Sequence, residues 1–177
     1  MILQSKFIRK ANILLNFILQ EKLVDSSQTI VIVNKKKDIE IINSTLNSRS
    51  IKNTVCHLGM GITERFLSFS KFSEEKFGIL IVSKLLSNSL EYFDFKNINL
   101  IFYDSAKTQN EILQRGFLQE SLKGKYSMHF VDEKYIPLYG KVQRFVENNL
   151  NFEIIPIKNI KEEYSPGINL SSEETNI

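Results

Sequence analysis

The sequence predicts an α/β domain built on a parallel sheet with helices on both faces. Three observations point there. Residues 29–33, 77–82 and 98–103 are short apolar runs rich in Ile, the pattern of strands buried on both sides. The segments between them carry apolar residues at helical spacing over roughly 10 to 15 positions. The chain has 177 residues and is 42% hydrophobic, enough for one full core and rarely enough for two.

Each element follows from its local pattern. Residues 11–23 place Leu14, Leu15, Phe17 and Ile18 on one broad face, a helix. The stretch before it is amphipathic rather than a signal peptide, because Lys6, Arg9 and Lys10 interrupt its apolar residues and no small-residue cleavage site follows. Residues 25–28 read as a turn and 29–33 as the first strand. Asn34 is a candidate cap for a helix carrying Ile39, Ile42 and Leu46. Residues 51–58 read as a short strand, broken at Gly59 and Gly61. Ile62, Phe66, Phe69 and Phe72 then line a helix. A strand at 77–82, a polar loop at 83–96 and a strand at 98–103 come next. Residues 107–119 form a helix with Ile112, Leu113 and Phe117 apolar. In 125–131, Tyr126, Met128 and Phe130 alternate inward, predicting a strand near an edge with one wetter face. The last helix, 133–146, carries Leu138, Val142 and Phe145, with Pro137 near its start, where a missing N–H is tolerated. Residues 152–157 are an extended finish. The expected division is a domain over 1–160 and a polar acidic tail over 161–177.

Ligands of such sheets gather outside the carboxyl ends of the strands. The segments to inspect are therefore 34–37, 58–62, 83–88 and 104–107.

Net charge is +3, unevenly spread. Residues 161–177 hold one Lys and four Glu, which leaves +6 on the rest. A mildly basic body is compatible with a phosphate-bearing partner without demanding one, and solvated lysines are the commoner explanation. The single cysteine, Cys56, excludes an intramolecular disulfide and fits a reducing compartment. No apolar run is long enough to span a bilayer, so no membrane partner is expected.

Five stretches carry a family resemblance. "TIVIVNKKKDIEIINSTL" is similar to a helicase motif IV strand and its helix. "HLGMGITERFLSFSKF" resembles the stretch His-x-Gly-Met-x-Gln-x-x-Arg. "ILIVSKLLSNSLEYFDFKNINLIFYD" resembles motif V and the strand after it. "NEILQRGFLQESLKGKYSMHFVDEK" falls where motif VI belongs, and "KVQRFVENNLNFEIIPI" resembles the closing helix and strand. Together they resemble the second RecA-like domain of superfamily 2 helicases, most closely the DEAD-box RNA helicases, over nearly the whole body. "HLGM…ER", "SKLL" and "VQRF" look like the branch acting in splicing and mRNA export.

The resemblance is strongest in the strands and weakest where the family does chemistry. Motif VI of the family reads His-Arg-x-x-Arg-x-Gly-Arg. Here Arg115 matches the first arginine, while Leu118 and Ser121 stand at the other two. An arginine facing the transferred phosphate stabilises the transition state, and leucine cannot. In motif V, Asn88 and Ser89 replace Arg-Gly, Glu91 replaces Asp, and Lys84 stands where Asp or Asn is usual; Ser83 keeps its hydroxyl. Ile62 replaces the glutamine of Gln-x-x-Arg, and Arg65 remains. The sequence given contains no Gly-x-x-x-x-Gly-Lys-Ser/Thr and no Asp-Glu-Ala-Asp box.

What the resemblance implies is a degenerate helicase C-terminal domain, a non-catalytic RNA- or protein-binding module in mRNA processing or export. It implies no cofactor of its own, with ATP held only if a partner domain completes the site, and a place in the nucleus or cytoplasm. The alternatives are half of a split helicase completed in trans by a separate first RecA-like domain, or a pure protein-interaction scaffold. The implied RNA-binding residues are Lys35, Lys36, Lys37, Arg65, Ser83 and Lys84, and Arg115 is the nucleotide-proximal remnant. Each has a plainer reading. The lysine run can be solvated, Arg65 and Arg115 can pair with carboxylates, and Ser83 can cap a helix. His57 and His129 lack the partner pattern of a metal site and read as strand residues. Cys56 lacks an orienting third group and reads as a buried thiol. Tyr92 and Phe93 can stack on bases or pack on a helix.

Overall fold

A computed structural model describes residues 2–145 and 152–156; the expected tail at 161–177 and its boundary lie outside the described residues. The chain opens with α1 (Ile2–Gln20) and a four-residue helix, α2 (Leu23–Ser26). Then follow β1 (Gln28–Val33), α3 (Lys36–Asn47), β2 (Asn53–Cys56), α4 (Ile62–Glu74) and β3 (Gly78–Ser83). A 3₁₀ helix (Lys84–Tyr92) leads to β4 (Ile98–Phe102), α5 (Gln109–Ser121), β5 (Tyr126–Val131), α6 (Ile136–Phe145) and β6 (Phe152–Pro156).

The six strands form one sheet in the order β2-β3-β1-β4-β5-β6, and every pairing is parallel. Ile32 at the centre stands level with Val82 on β3 and Phe102 on β4. Period-2 alternation sends the strand residues to two cores. Val31, Val33, Ile81, Ile101 and Phe130 pack under α1 and α3 with Leu14, Ile18, Ile39 and Ile42. Ile30, Ile32, Leu80, Val82 and Phe102 pack on the opposite face with Phe69 and Phe72 of α4 and Leu118 of α5. A third cluster, Ile112, Val131, Tyr139 and Val142, seats α6 on α5 and the end of β5. This is the parallel sheet with helices on both faces that the sequence predicts.

The local differences have identifiable causes. Residues 25–28, expected as a turn, are largely α2 and the start of β1. The polar loop expected at 83–96 is mostly the 3₁₀ helix, held down by Leu86 and Leu90 on the sheet. Asn34 caps nothing; Lys35 takes the N-cap position of α3, and the Asn34 amide instead donates to Asp104 Oδ2 at 2.8 Å. On α5 the inward face is Ile112, Arg115 and Leu118, while Phe117 is exposed. Strand β5 lies one in from the edge, and the wetter face expected for it is absent: Ser127 and His129 are buried and bonded to protein partners.

Candidate functional site

Because all strands run one way, their carboxyl ends open together, and the loops after β1, β3 and β4 meet there. They enclose a cleft of about 730 Å³ lined by Ile32, Phe102, Lys84, Glu111, Arg115 and Leu118, among others. Its wall on the α5 side is set by Thr108, whose hydroxyl accepts the Glu111 amide at 3.2 Å and caps the helix.

Glu111 organises the charges. Its Oε1 accepts the Lys84 ammonium and lies 3.5 Å from Arg115 Nη2, and its Oε2 accepts the Lys107 amide at 2.9 Å. Burial pushes this carboxyl up, but Lys84, the Lys107 amide and Arg115 outweigh burial and hold it below the ordinary carboxylate range.

Arg115 points into the protein. It is 5% exposed. Nη2 donates to the Asp104 carbonyl at 2.7 Å, Nη1 donates to the Tyr139 hydroxyl at 3.1 Å, and the guanidinium sits 4.8 Å from the Phe102 ring centre. Burial draws its pKa down, opposed by Tyr139, Glu111 and Asp104. Such an arginine ties elements together, with Nη1 engaged by Tyr139 and Nη2 by Asp104 and Glu111.

The remaining sequence candidates fall in three places. Lys35, Lys36 and Lys37 stand exposed at the N-terminus of α3. Lys36 pairs with Glu40 at 3.7 Å, and its ammonium reaches the Gly59 turn, where a side chain on Gly59 would meet it at 3.4 Å. Beneath them Asp38 is buried, its carboxyl pushed up by burial and then by Asp104, against the pull of Lys10, Lys35 and Lys37. Ser83 and Lys84 lie at the end of β3. Ser83 is buried, its hydroxyl has no hydrogen-bond partner among the described residues and it does not cap the 3₁₀ helix, whereas Lys84 is tied to Glu111. Arg65, half-buried on α4, lines a separate groove on the far side of the 3₁₀ helix. The fold thus joins Lys84 to Arg115 through Glu111 and sets Lys35–Lys37 and Arg65 apart from them.

Sequence reasoning missed Glu111 and Tyr139. Glu111 was findable, because Thr108-x-x-Glu111 is a capping-box spacing. Tyr139 gave no signal, since its role depends on α5 and β5 arriving beside it. Burial pushes the Cys56 thiol up to about 11, which fits a packed thiol and not a nucleophile. Among the described residues no three of His, Cys, Asp and Glu gather where a metal could be held, and no helix is long and apolar enough to cross a membrane.

Residues 9–116 match the family model described as the helicase conserved C-terminal domain. No curated protein matches the chain at a significant level. Among solved structures, the C-terminal domain of the DEAD-box protein Dbp5 aligns with a TM-score of 0.62 at 17% identity, over 83% of each chain. E. coli DEAD-box protein SrmB, bound to regulator of ribonuclease activity A, aligns with a TM-score of 0.63 at 17% identity, over 84% of this chain and 85% of that one. S. cerevisiae Dbp5 bound to RNA and ADP BeF3 gives a TM-score of 0.59 at 16% identity, over 84% of this chain and 39% of that one. At these identities the likeness is one of fold, the RecA-like C-terminal domain of superfamily 2 helicases.

Proposed function

Because this chain belongs to the family of helicase conserved C-terminal domains, we propose that it is a DEAD-box-type RNA-binding module that does not hydrolyse ATP. The observation that carries the non-catalytic part is the charge arrangement around Glu111. Phosphoryl transfer needs cations aimed at charge that develops in the transition state. In this cleft the two cations, Lys84 and Arg115, share one carboxylate, and Arg115 also donates to the Asp104 carbonyl and the Tyr139 hydroxyl. Leu118 and Ser121 occupy the positions of the other motif arginines and supply no charge.

The RNA-binding part is supported by Lys35, Lys36 and Lys37. Three exposed ammonium groups gather at the positive end of α3, with Asp38 and Glu40 the carboxylates beside them, and such a cationic helix start suits a phosphate backbone. We assign 161–177 as an acidic extension beyond the domain and leave Arg65, Ser83 and Lys84 out of the RNA surface, because Arg65 lines a separate groove, Ser83 is buried and Lys84 is paired with Glu111. Work in mRNA processing or export, in the nucleus or cytoplasm, rests on the likeness of the "HLGM…ER", "SKLL" and "VQRF" stretches to that branch.

Filter binding to single-stranded RNA, titrated with salt and repeated with ATP, tests the reading. Binding that weakens steeply with salt, falls when Lys35, Lys36 and Lys37 are changed to Ala and ignores ATP is the expected result. Indifference to RNA would overturn the RNA assignment. ATP hydrolysis by the chain would overturn the non-catalytic one. Hydrolysis that appears only with a separate first RecA-like domain would mark the chain as half of a split enzyme.

A further inference from the structure

Five of the nine large apolar side chains that the described residues expose crowd around the 3₁₀ helix: Ile62, Phe66, Leu85, Tyr92 and Phe117. Ile62 is 79% and Tyr92 86% exposed, far from the ordinary fate of such residues in a domain with this much core. Scattered apolar residues need no explanation, but a contiguous set beside a groove marks an interaction surface.

The groove, about 470 Å³, runs between α4 and the 3₁₀ helix. One wall is Ile62, Phe66 and Phe69, a single stripe at helical spacing. The other is Leu86, Tyr92 and Phe93. Its floor is already packed: the Phe93 ring centre lies 5.6 Å from that of Phe66 and 5.1 Å from that of Phe69. The groove neighbours the cleft at the strand ends, since Ser89 and Tyr92 line both. Arg65 is the one charged residue lining it, and among the described residues no carboxylate forms an ion pair with Arg65.

We infer that this groove docks an amphipathic helix of a protein partner, whose apolar stripe fills it and whose flanking Asp or Glu pairs with Arg65. A slot with apolar stripes on both walls takes a third helix by packing its side-chain ridge into the gap. A nucleic acid is a poorer occupant, because its phosphates would meet one guanidinium and an apolar floor with few donors. The partner surface is distinct from the α3 lysines assigned above to RNA, so one module can hold both.

Two fluorescent synthetic helices test this, each with Leu at the i, i+3, i+4 and i+7 positions and differing only in Glu or Lys flanks. Anisotropy titrations against the full chain are paired with amide and methyl shifts by NMR. The Glu-flanked helix is expected to bind about tenfold or more tightly than the Lys-flanked one. Its shifts should centre on Ile62, Arg65, Phe66 and Tyr92. Arg65→Glu should reverse the preference, and Ile62→Asp should remove binding while circular dichroism shows an unchanged fold. Three results would overturn the inference: neither helix binding, the same residues shifting with oligouridylate instead, or the same residues broadening with chain concentration alone.

Discussion

Arg115 Nη1 donates to the Tyr139 hydroxyl at 3.1 Å, and the same hydroxyl accepts the Ala106 amide at 3.1 Å. One side chain from α5 and one from α6 therefore meet over the end of β4, with the Asp104 carbonyl as third partner. An arginine at a motif position thus contributes to the architecture of the domain.

Arg115→Ala is expected to lower stability by about 3 kcal/mol, because it leaves the Tyr139 hydroxyl and the Asp104 carbonyl short of a buried donor and weakens the hold on Glu111. Arg115→Lys should recover little of this, since one ammonium cannot reach partners on three elements. Urea unfolding with an unchanged slope and a lower midpoint would report it.

His129 should make the domain acid-sensitive. Its ring lies 3.3 Å from the Tyr139 hydroxyl and 3.4 Å from Ser127 Oγ, stacked on Phe152 and close to Phe102, with Arg115 the charged neighbour. Burial first, and Arg115 second, hold its pKa well below the usual value, so the folded ring stays neutral. The unfolded chain binds a proton as pH falls through about 6.5 and the folded chain does not, so stability is lost on acidification below that point. His129→Gln should flatten the pH dependence of the unfolding midpoint between about pH 7 and about pH 5, the window in which the unfolded imidazole titrates.

The three lysines of α3 should matter to RNA and not to folding. Changing Lys35, Lys36 and Lys37 to Ala is expected to reduce the slope of log affinity against log salt by about 0.7 for each phosphate that is no longer neutralised. The same change should leave stability level or raise it by a few tenths of a kcal/mol, because like charge leaves the positive end of a helix. Thermal melts beside the salt titration check both.

Leu118→Arg puts back the guanidinium that the motif lacks. No turnover is expected, because Lys84 and Arg115 stay committed to Glu111. A destabilisation of about 1 to 3 kcal/mol is expected, since Leu118 packs among the apolar residues under α5. A phosphate-release assay and a urea titration report the two effects.

The strands and most helices were legible because burial on both faces writes itself as unbroken runs such as 29–33 and 77–82. What failed to show depended on partners distant in sequence. Ser127 and His129 look like a wet face until Gln119 and Tyr139 arrive to bond them. Helical spacing pointed to Phe117 as an inward residue of α5, whereas the face that packs carries Ile112, Arg115 and Leu118. The 3₁₀ helix hid because Leu86 and Leu90 are too few to set a period in a polar stretch. The pairing of Lys84 and Arg115 through Glu111 was not readable, because Lys84 and Glu111 lie on separate elements that only the fold brings together.

The most direct measurement is nucleotide turnover by the purified chain at saturating single-stranded RNA. Phosphate release indistinguishable from the RNA-only background, with RNA affinity the same whether or not ATP is present, is the expected result. RNA-stimulated hydrolysis that disappears in Lys84→Ala would contradict the account, because it would mean that the cations around Glu111 remain available to a phosphate.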